Sequence, residues 1–241
     1  MSAFAQHSFA DRGLYVGDFE FITVPIEDML DKDYLNMRAM LIGDEDIDRE
    51  VSTGEIPGFD PTGPADPRAK NSGTSHISIA DRSGNVLSVT TTVESFFGNG
   101  VFVPGWGFRF NNQITDFSFN PGTEEEPVDN RVEANKRPRS SMSSTITLDE
   151  HGMPFLATGS PGGSRIIGYV LNSVTAIIDF GLDPQEAINN PAYLNRNGNT
   201  ELESNKPGAV IEYDIDALTA ALEERGHSVA IIGGEAKTFS H

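Results

Sequence analysis

The strongest constraint on the fold is a pair of runs, TSHISIA from Thr74 to Ala80 and VLSVTTTVE from Val86 to Glu94, separated by the turn-forming set DRSGN. Runs rich in β-branched residues, with period two and joined by Asp, Ser, Gly and Asn, predict an antiparallel hairpin. Alternation puts Ile77 and Ile79 on one face, with Leu87, Val89 and Val93 on the matching face of the second strand. The other face then carries Thr74, His76 and Ser78 beside Thr90, Thr92 and Glu94. A sheet this polar on one side needs a reason for it. The strand also opens abruptly, on Thr74-Ser75-His76, after a loop dense in acid, Pro and Gly that ends at Gly73.

The rest of the composition narrows the chemistry. The 241 residues, 37% of them apolar, can bury a sizeable core and make one domain or a large part of one. No run of about 18 apolar residues is present, and the N-terminal MSAFAQHSFADRG lacks the basic and apolar blocks of a signal peptide, so the compartment is not encoded here. With no Cys, covalent chemistry must use oxygen or nitrogen. The five His residues show no metal-ligand spacing, and neither a metal nor a cofactor is expected. A net charge of −19, from 36 acidic against 17 basic residues, argues against nucleic acid or an anionic membrane as partner.

Along the chain, Ile26, Met29, Leu30, Tyr34, Met37 and Leu41 recur at helical spacing and predict one amphipathic helix after Pro25. Ile42 to Gly73 reads as a mobile acidic connection with little to bury. GFRFNNQITDF predicts further strand, and SSTITL with MPFLATGS around DEHG predicts a second hairpin. Ile166, Ile167, Val170, Leu171, Val174, Ile177 and Ile178 predict a helix with a wide buried face. Asp183-Pro184 starts another helix, and DIDALTAALEERG makes a third, closed by Gly226 and followed by the strand HSVAII. Strands in runs with helices on their faces define an α+β layered domain.

Several constellations carry chemistry beside a plainer reading. A hydroxyl residue after Gly can attack the preceding carbonyl, and an N-to-O acyl shift followed by hydrolysis would free Thr74 as a new N-terminus. Its α-amine would then serve as base for its own hydroxyl. The plainer reading is a strand-opening Thr. Gly162 and Gly163 of TGSPGGSR precede the apolar helix, where backbone N–H groups can bind an oxyanion; alternatively they only make a tight turn. Ser140 and Ser141 follow two basic residues and can hold a carboxylate, or form a polar loop. Gln113 and Asp116 can accept from an ammonium, or end a polar strand. Glu94 needs a partner if buried, for which a ligand ammonium is one candidate and solvent the other. His76 reads as a hydrogen-bonded structural residue, because an amine base attached to the nucleophile makes a second base unnecessary.

Taken in order, FADRGLYVGD, TSHISIADRSGNVLSVTTTVESFFG, FNNQITDFSFNPG, NKRPRSSMSSTI, TGSPGGSRII and FGLDPQEAINNPAY resemble the γ-glutamyltransferases, also called glutathione hydrolases, of the N-terminal nucleophile hydrolase class. That resemblance implies a four-layer αββα sandwich, present here in part. It implies self-cleavage between Gly73 and Thr74 of a precursor, so that residues 1–73 end a large subunit with a flexible acidic linker and residues 74–241 belong to a small catalytic subunit, cut short at its C-terminus. Thr74 becomes the nucleophile and Thr92 orients it; Gly162 and Gly163 form the oxyanion hole. Ser140 and Ser141 bind the substrate α-carboxylate, and Glu94, Gln113 and Asp116 its α-amino group.

The implied reaction takes γ-glutamyl groups from glutathione or other γ-glutamyl compounds and passes them to water, amino acids or peptides. Alternatives on the same fold are a glutaryl-type amide acylase and an unprocessed, noncatalytic relative. The remainder of the large subunit is an expected partner, and the isolated chain is expected to be poorly active. The periplasm or the cell exterior follows from the resemblance alone. Glu94 stands where many relatives carry Asn, Arg139 stands where an apolar residue is usual, and Ser144 replaces a usual Pro. A cation at 139, beside the carboxylate site, would be expected to retune substrate choice.

Overall fold

A computed structural model describes residues 2–43, 50–61, 63–64 and 73–233. The chain opens on helix α1 (Ser2–Tyr15). The single helix expected over 26–41 is two, α2 (Ile26–Met29) and α3 (Lys32–Met40). Asp31 explains the break, because its side chain accepts from the backbone N–H groups of Asp33 (2.9 Å) and Tyr34 (3.1 Å) and so starts a new helix.

The expectation of a connection with little to bury is corrected over 51–61. Ile56 is buried with Tyr15 and Tyr34, and Asp11 gathers this segment by accepting from the Gly54 N–H (2.7 Å), the Tyr34 hydroxyl (3.0 Å) and Arg38. Its acidity and glycine content hid one apolar anchor and a backbone N–H held by the buried Asp11 carboxylate. Residues 44–49, 62 and 65–72 of that connection, Asn71 and Ser72 among them, lie outside the described residues.

Strands β1 (Thr74–Ala80) and β2 (Val86–Thr92) form the expected hairpin in the register Thr74↔Thr92, His76↔Thr90, Ile77↔Val89. Asp81 closes its turn by accepting from Ser83 and Asn85. The second hairpin is β3 (Thr145–Leu148) with β4 (Pro154–Thr158). The two hairpins meet through their hydroxyl-bearing faces: Ser78 Oγ donates to the Ala157 carbonyl (3.1 Å), Ser88 Oγ to that of Thr158 (3.0 Å), and Ser144 Oγ to Thr90 Oγ1 (2.9 Å). The apolar faces point outward, with Ile77 and Ile79 about half exposed and Ile146, Leu148 and Phe155 also open. GFRFNNQITDF is not a strand. Phe102 and Arg109 make one isolated bridge, and Gln113–Asp116 is a single 3-10 turn, because Asn111 Oδ1 accepts from the Gln113 N–H (2.9 Å) and offers the backbone a turn instead.

Helix α4 (Ile166–Ile178) buries Ile166, Tyr169 and Val170, but its apolar face is narrower than expected, since Leu171 and Ile178 are exposed. Helix α5 (Pro184–Asn189) starts in a full capping box between Asp183 and Glu186. A three-stranded sheet follows, in the order β5 (Tyr193–Asn195), β6 (Thr200–Glu203), β7 (Val229–Ile232), with helix α6 (Ile215–Glu224) leading into β7. Tyr169, Ala192 and Leu194 form the core between α4 and this sheet. The α+β organisation is as expected.

Candidate active site

Thr74 begins β1, directly opposite Thr92. Its hydroxyl donates to Thr92 Oγ1 at 2.9 Å. Thr92 Oγ1 also accepts from the Glu94 N–H (2.9 Å) and donates to the Gly73 carbonyl (3.4 Å). A hydroxyl has one proton and two lone pairs, so Thr92 is fully used and its proton is committed to Gly73. The same carbonyl accepts from the Val93 N–H (3.3 Å), and the Gly73 N–H donates to the Glu94 carbonyl. A Cβ at 73 would lie 2.5 Å from the backbone of Ser95, so only Gly fits this approach. The Gly73–Thr74 bond thus has a nucleophilic oxygen on one side and two donors on the carbonyl to be attacked.

Behind Thr74 the sandwich interior is a directional chain. Ser78 Oγ donates to the Ala157 carbonyl, so it accepts from His76 Nε2–H (2.9 Å). In the neutral ring Nδ1 then accepts from the Thr90 hydroxyl (2.8 Å), which accepts in turn from Ser144. Burial holds the His76 pKa below its ordinary value, which favours the neutral ring. Ser144 supplies the first donor.

Glu94 departs from the expected alternation. It lies beyond the end of β2 with φ 72°, so period two does not extend to it and it does not share the Thr92 face by alternation. It is buried, with Oε2 accepting from Ser95 Oγ (2.6 Å) and the Asn112 amide. Gln113 donates its amide to Asp116 Oδ2. Asn130 links this turn to the serine loop, donating to the Asp116 carbonyl (2.9 Å) and accepting from the Arg139 N–H (2.8 Å).

At Ser140 and Ser141 each hydroxyl accepts a hydrogen bond. Ser140 Oγ accepts from the Met142 N–H (3.2 Å) and Ser141 Oγ from Arg12 Nη2 (2.7 Å). Among the described residues neither hydroxyl is shown donating, so both protons are available to an anion. Arg139 is buried, and its Nη1 donates to the carbonyls of Arg12 (3.1 Å) and Gly13 (3.2 Å) in the last turn of α1.

Gly162 (φ 133°) and Gly163 (φ 61°) adopt backbone that L side chains avoid, and a Cβ at 162 would press on the Tyr169 ring. Arg165 anchors this turn through two bonds to Glu201 (2.7 and 3.0 Å), while Arg196 holds Ser164 (2.7 Å) and Glu201 (2.6 Å). Burial raises the Glu201 carboxyl, but the two guanidinium groups more than offset it and leave its pKa low. Gly159, three residues before the turn, lies against the His76 ring. The structure therefore joins Gly73, Thr74, Thr92 and Glu94 in one cluster and Ser140, Ser141 and Asp116 around Arg12. Sequence reasoning gave no role to Arg12, Asn112 or Asn130, although NNQITD contains Asn112 and FADRGLYVGD contains Arg12. Among the described residues no group of three or more acidic or His side chains could hold a metal, and no helix is long and apolar enough to cross a membrane.

The fold is that of the N-terminal nucleophile hydrolases. It is shared with cephalosporin acylase from Bacillus halodurans over 94% of this chain and 36% of that one (TM-score 0.69, 24% identity). It is also shared with an acivicin-inhibited gamma-glutamyltranspeptidase over 66% of this chain and 84% of that one (TM-score 0.55, 35% identity). Residues 3–241 match the family model Gamma-glutamyltranspeptidase, and the chain belongs to that family. It is 39% identical over 212 residues to the glutathione hydrolase proenzyme of Bacillus subtilis (strain 168), covering 85% of this chain but only 35% of that relative's length.

Proposed function

We propose that the full-length protein cleaves itself between Gly73 and Thr74 and then hydrolyses and transfers γ-glutamyl groups from glutathione or similar amides. The observation that carries this is the knot of Gly73, Thr74 and Thr92. Thr74 Oγ attacks the Gly73 carbonyl carbon while the Thr92 hydroxyl and the Val93 N–H stabilise the oxyanion. The C–N bond then breaks, the nitrogen takes up the proton that Oγ gives, and water hydrolyses the ester to leave a Gly73 carboxylate and a free Thr74 α-amine. That amine takes the Thr74 hydroxyl proton in the next reaction, as Oγ adds to the γ-carbonyl opposite the N–H groups of Gly162 and Gly163. The leaving amine departs with a proton, and water, an amino acid or a peptide completes the transfer.

Substrate placement follows the same reading. The unspent Ser140 and Ser141 protons suit the α-carboxylate, and Glu94, Gln113 and Asp116 suit the α-ammonium. Residues 1–73 then end the large subunit, and the chain from Thr74 onward belongs to the small one. The apolar outer faces of the two hairpins are taken up by the rest of the large subunit. Intact-mass analysis of the full-length protein tests the reading: a break before Thr74 is expected, lost in Thr74→Ala together with γ-glutamyl anilide turnover. An unbroken parent, or turnover retained by Thr74→Ala, would overturn it.

A further inference from the structure

Arg12 lies in the last turn of α1, on the far side of the Gly73–Thr74 bond from the serine pair, yet it reaches 129 positions along the chain to Ser141. One nitrogen, Nη2, donates both to Ser141 Oγ (2.7 Å) and to the Ser140 carbonyl (3.2 Å). A guanidinium only donates, so Ser141 cannot spend its own proton on Arg12 and must offer it elsewhere. The helix end that carries Arg12 is itself fixed from the serine loop, because Arg139 donates to the Arg12 and Gly13 carbonyls. Arg12 is flanked by the charges of Arg139 and Asp116 and stacks on the Phe9 ring at 5.8 Å, so it has little room to turn away.

We propose that Arg12 is a positioning residue for carboxylate recognition: it turns the Ser141 hydroxyl proton toward the substrate's anionic group without touching the substrate itself. This rests on the γ-glutamyl reading above. Recognition by residues after the cleavage site is in this way set by a residue before it, and the two pieces must stay docked for selectivity.

The test uses the full-length protein with Arg12→Gln, Arg12→Lys, Ser141→Ala and the Arg12→Gln/Ser141→Ala double variant. Self-cleavage is followed by intact mass, and kcat and KM are measured on γ-glutamyl anilide and on its α-carboxamide counterpart. Loss of one charge-assisted hydrogen bond predicts that Arg12→Gln raises KM for the carboxylate substrate about tenfold or more. Self-cleavage and kcat should change little, KM for the carboxamide should change little, Arg12→Lys should recover part of the loss, and the double variant should be no worse than Ser141→Ala. Equal losses on both substrates, no loss, or additive losses in the double variant would each overturn the proposal. Should Arg12→Gln not process, Arg12→Lys carries the same comparison, and a defect on both substrates overturns it. A parent that turns over neither anilide refutes the γ-glutamyl reading itself, whereas an active parent with an indifferent Arg12→Gln refutes only this inference.

Discussion

The two faces of the hairpin pair invert the usual arrangement of a globular protein. Between the sheets lie the partly buried His76, Ser88, Thr90 and Thr92, with Ser78 more exposed, joined hydroxyl to hydroxyl and to carbonyls of the facing strand. Outside lie Ile77, Ile79, Leu87, Val89, Ile146, Leu148 and Phe155, open to solvent in this chain. Small hydroxyl side chains let the sheets approach and deliver a polar interior in which a nucleophile can be oriented. The price is that the apolar face must be covered by something else. Alternation therefore locates the two faces correctly while saying nothing about which one is inside, and here the chemistry occupies the inner face.

The inner face breaks most sharply at Thr92. Thr92→Val keeps the shape and removes the hydroxyl that accepts from Thr74 and donates to Gly73. Losing one donor to a developing oxyanion costs roughly a hundredfold to a thousandfold in rate. Self-cleavage of the full-length protein, timed by intact mass, should slow by about that factor. A variant that cuts at the parental rate would show that the Val93 N–H alone suffices.

The outer face supplies a smaller effect with a built-in control. Burying an Ile side chain is worth about 1.5–3 kcal/mol, so Ile79→Ser should destabilise the full-length protein by that order if the rest of the large subunit covers this face. The same change in residues 1–241 alone, where Ile79 is 51% exposed, should shift the urea midpoint hardly at all. Equal shifts in the two contexts would mean that no other segment covers the hairpin.

What the sequence revealed follows the range of the interactions. Alternation put Thr74 and Thr92 on one face, and the structure pairs them directly because a short turn closed by Asp81 fixes register, and register fixes every facing pair. The extrapolation failed two residues later, where Glu94 turns left-handed, since period two holds only while the backbone is extended. Gln113 and Asp116 lie on a 3-10 turn rather than the expected strand, because Asn side chains compete with strand pairing locally. β5 and β6 are too short, at three and four residues, for periodicity to register. Arg12 was out of reach altogether: nothing local in ADRG foretells a bond to Ser141, and only the folded chain brings α1 to the serine loop.

The smallest expected effect probes the direction of the inner hydrogen-bond chain. His76 accepts at Nδ1 from Thr90 and donates from Nε2 to Ser78, which only the neutral ring can do, and burial lowers its pKa below 6.5. Below pH 6.5 the unfolded chain therefore binds a proton that the folded chain resists, so stability is full above that pH and falls as the solution is acidified toward the lower folded value. His7 and His227 are lowered by burial as well and contribute in the same sense. His76→Gln should remove only its own share, because a Gln amide can accept from Thr90 and donate to Ser78 without titrating. Urea midpoints of the full-length protein between about pH 5 and pH 7.5 should thus slope less steeply in His76→Gln than in the parent. An unchanged slope would assign the acid sensitivity to His7 and His227 and would leave the proposed direction of the chain, from Ser144 to Ala157, without its titrating link.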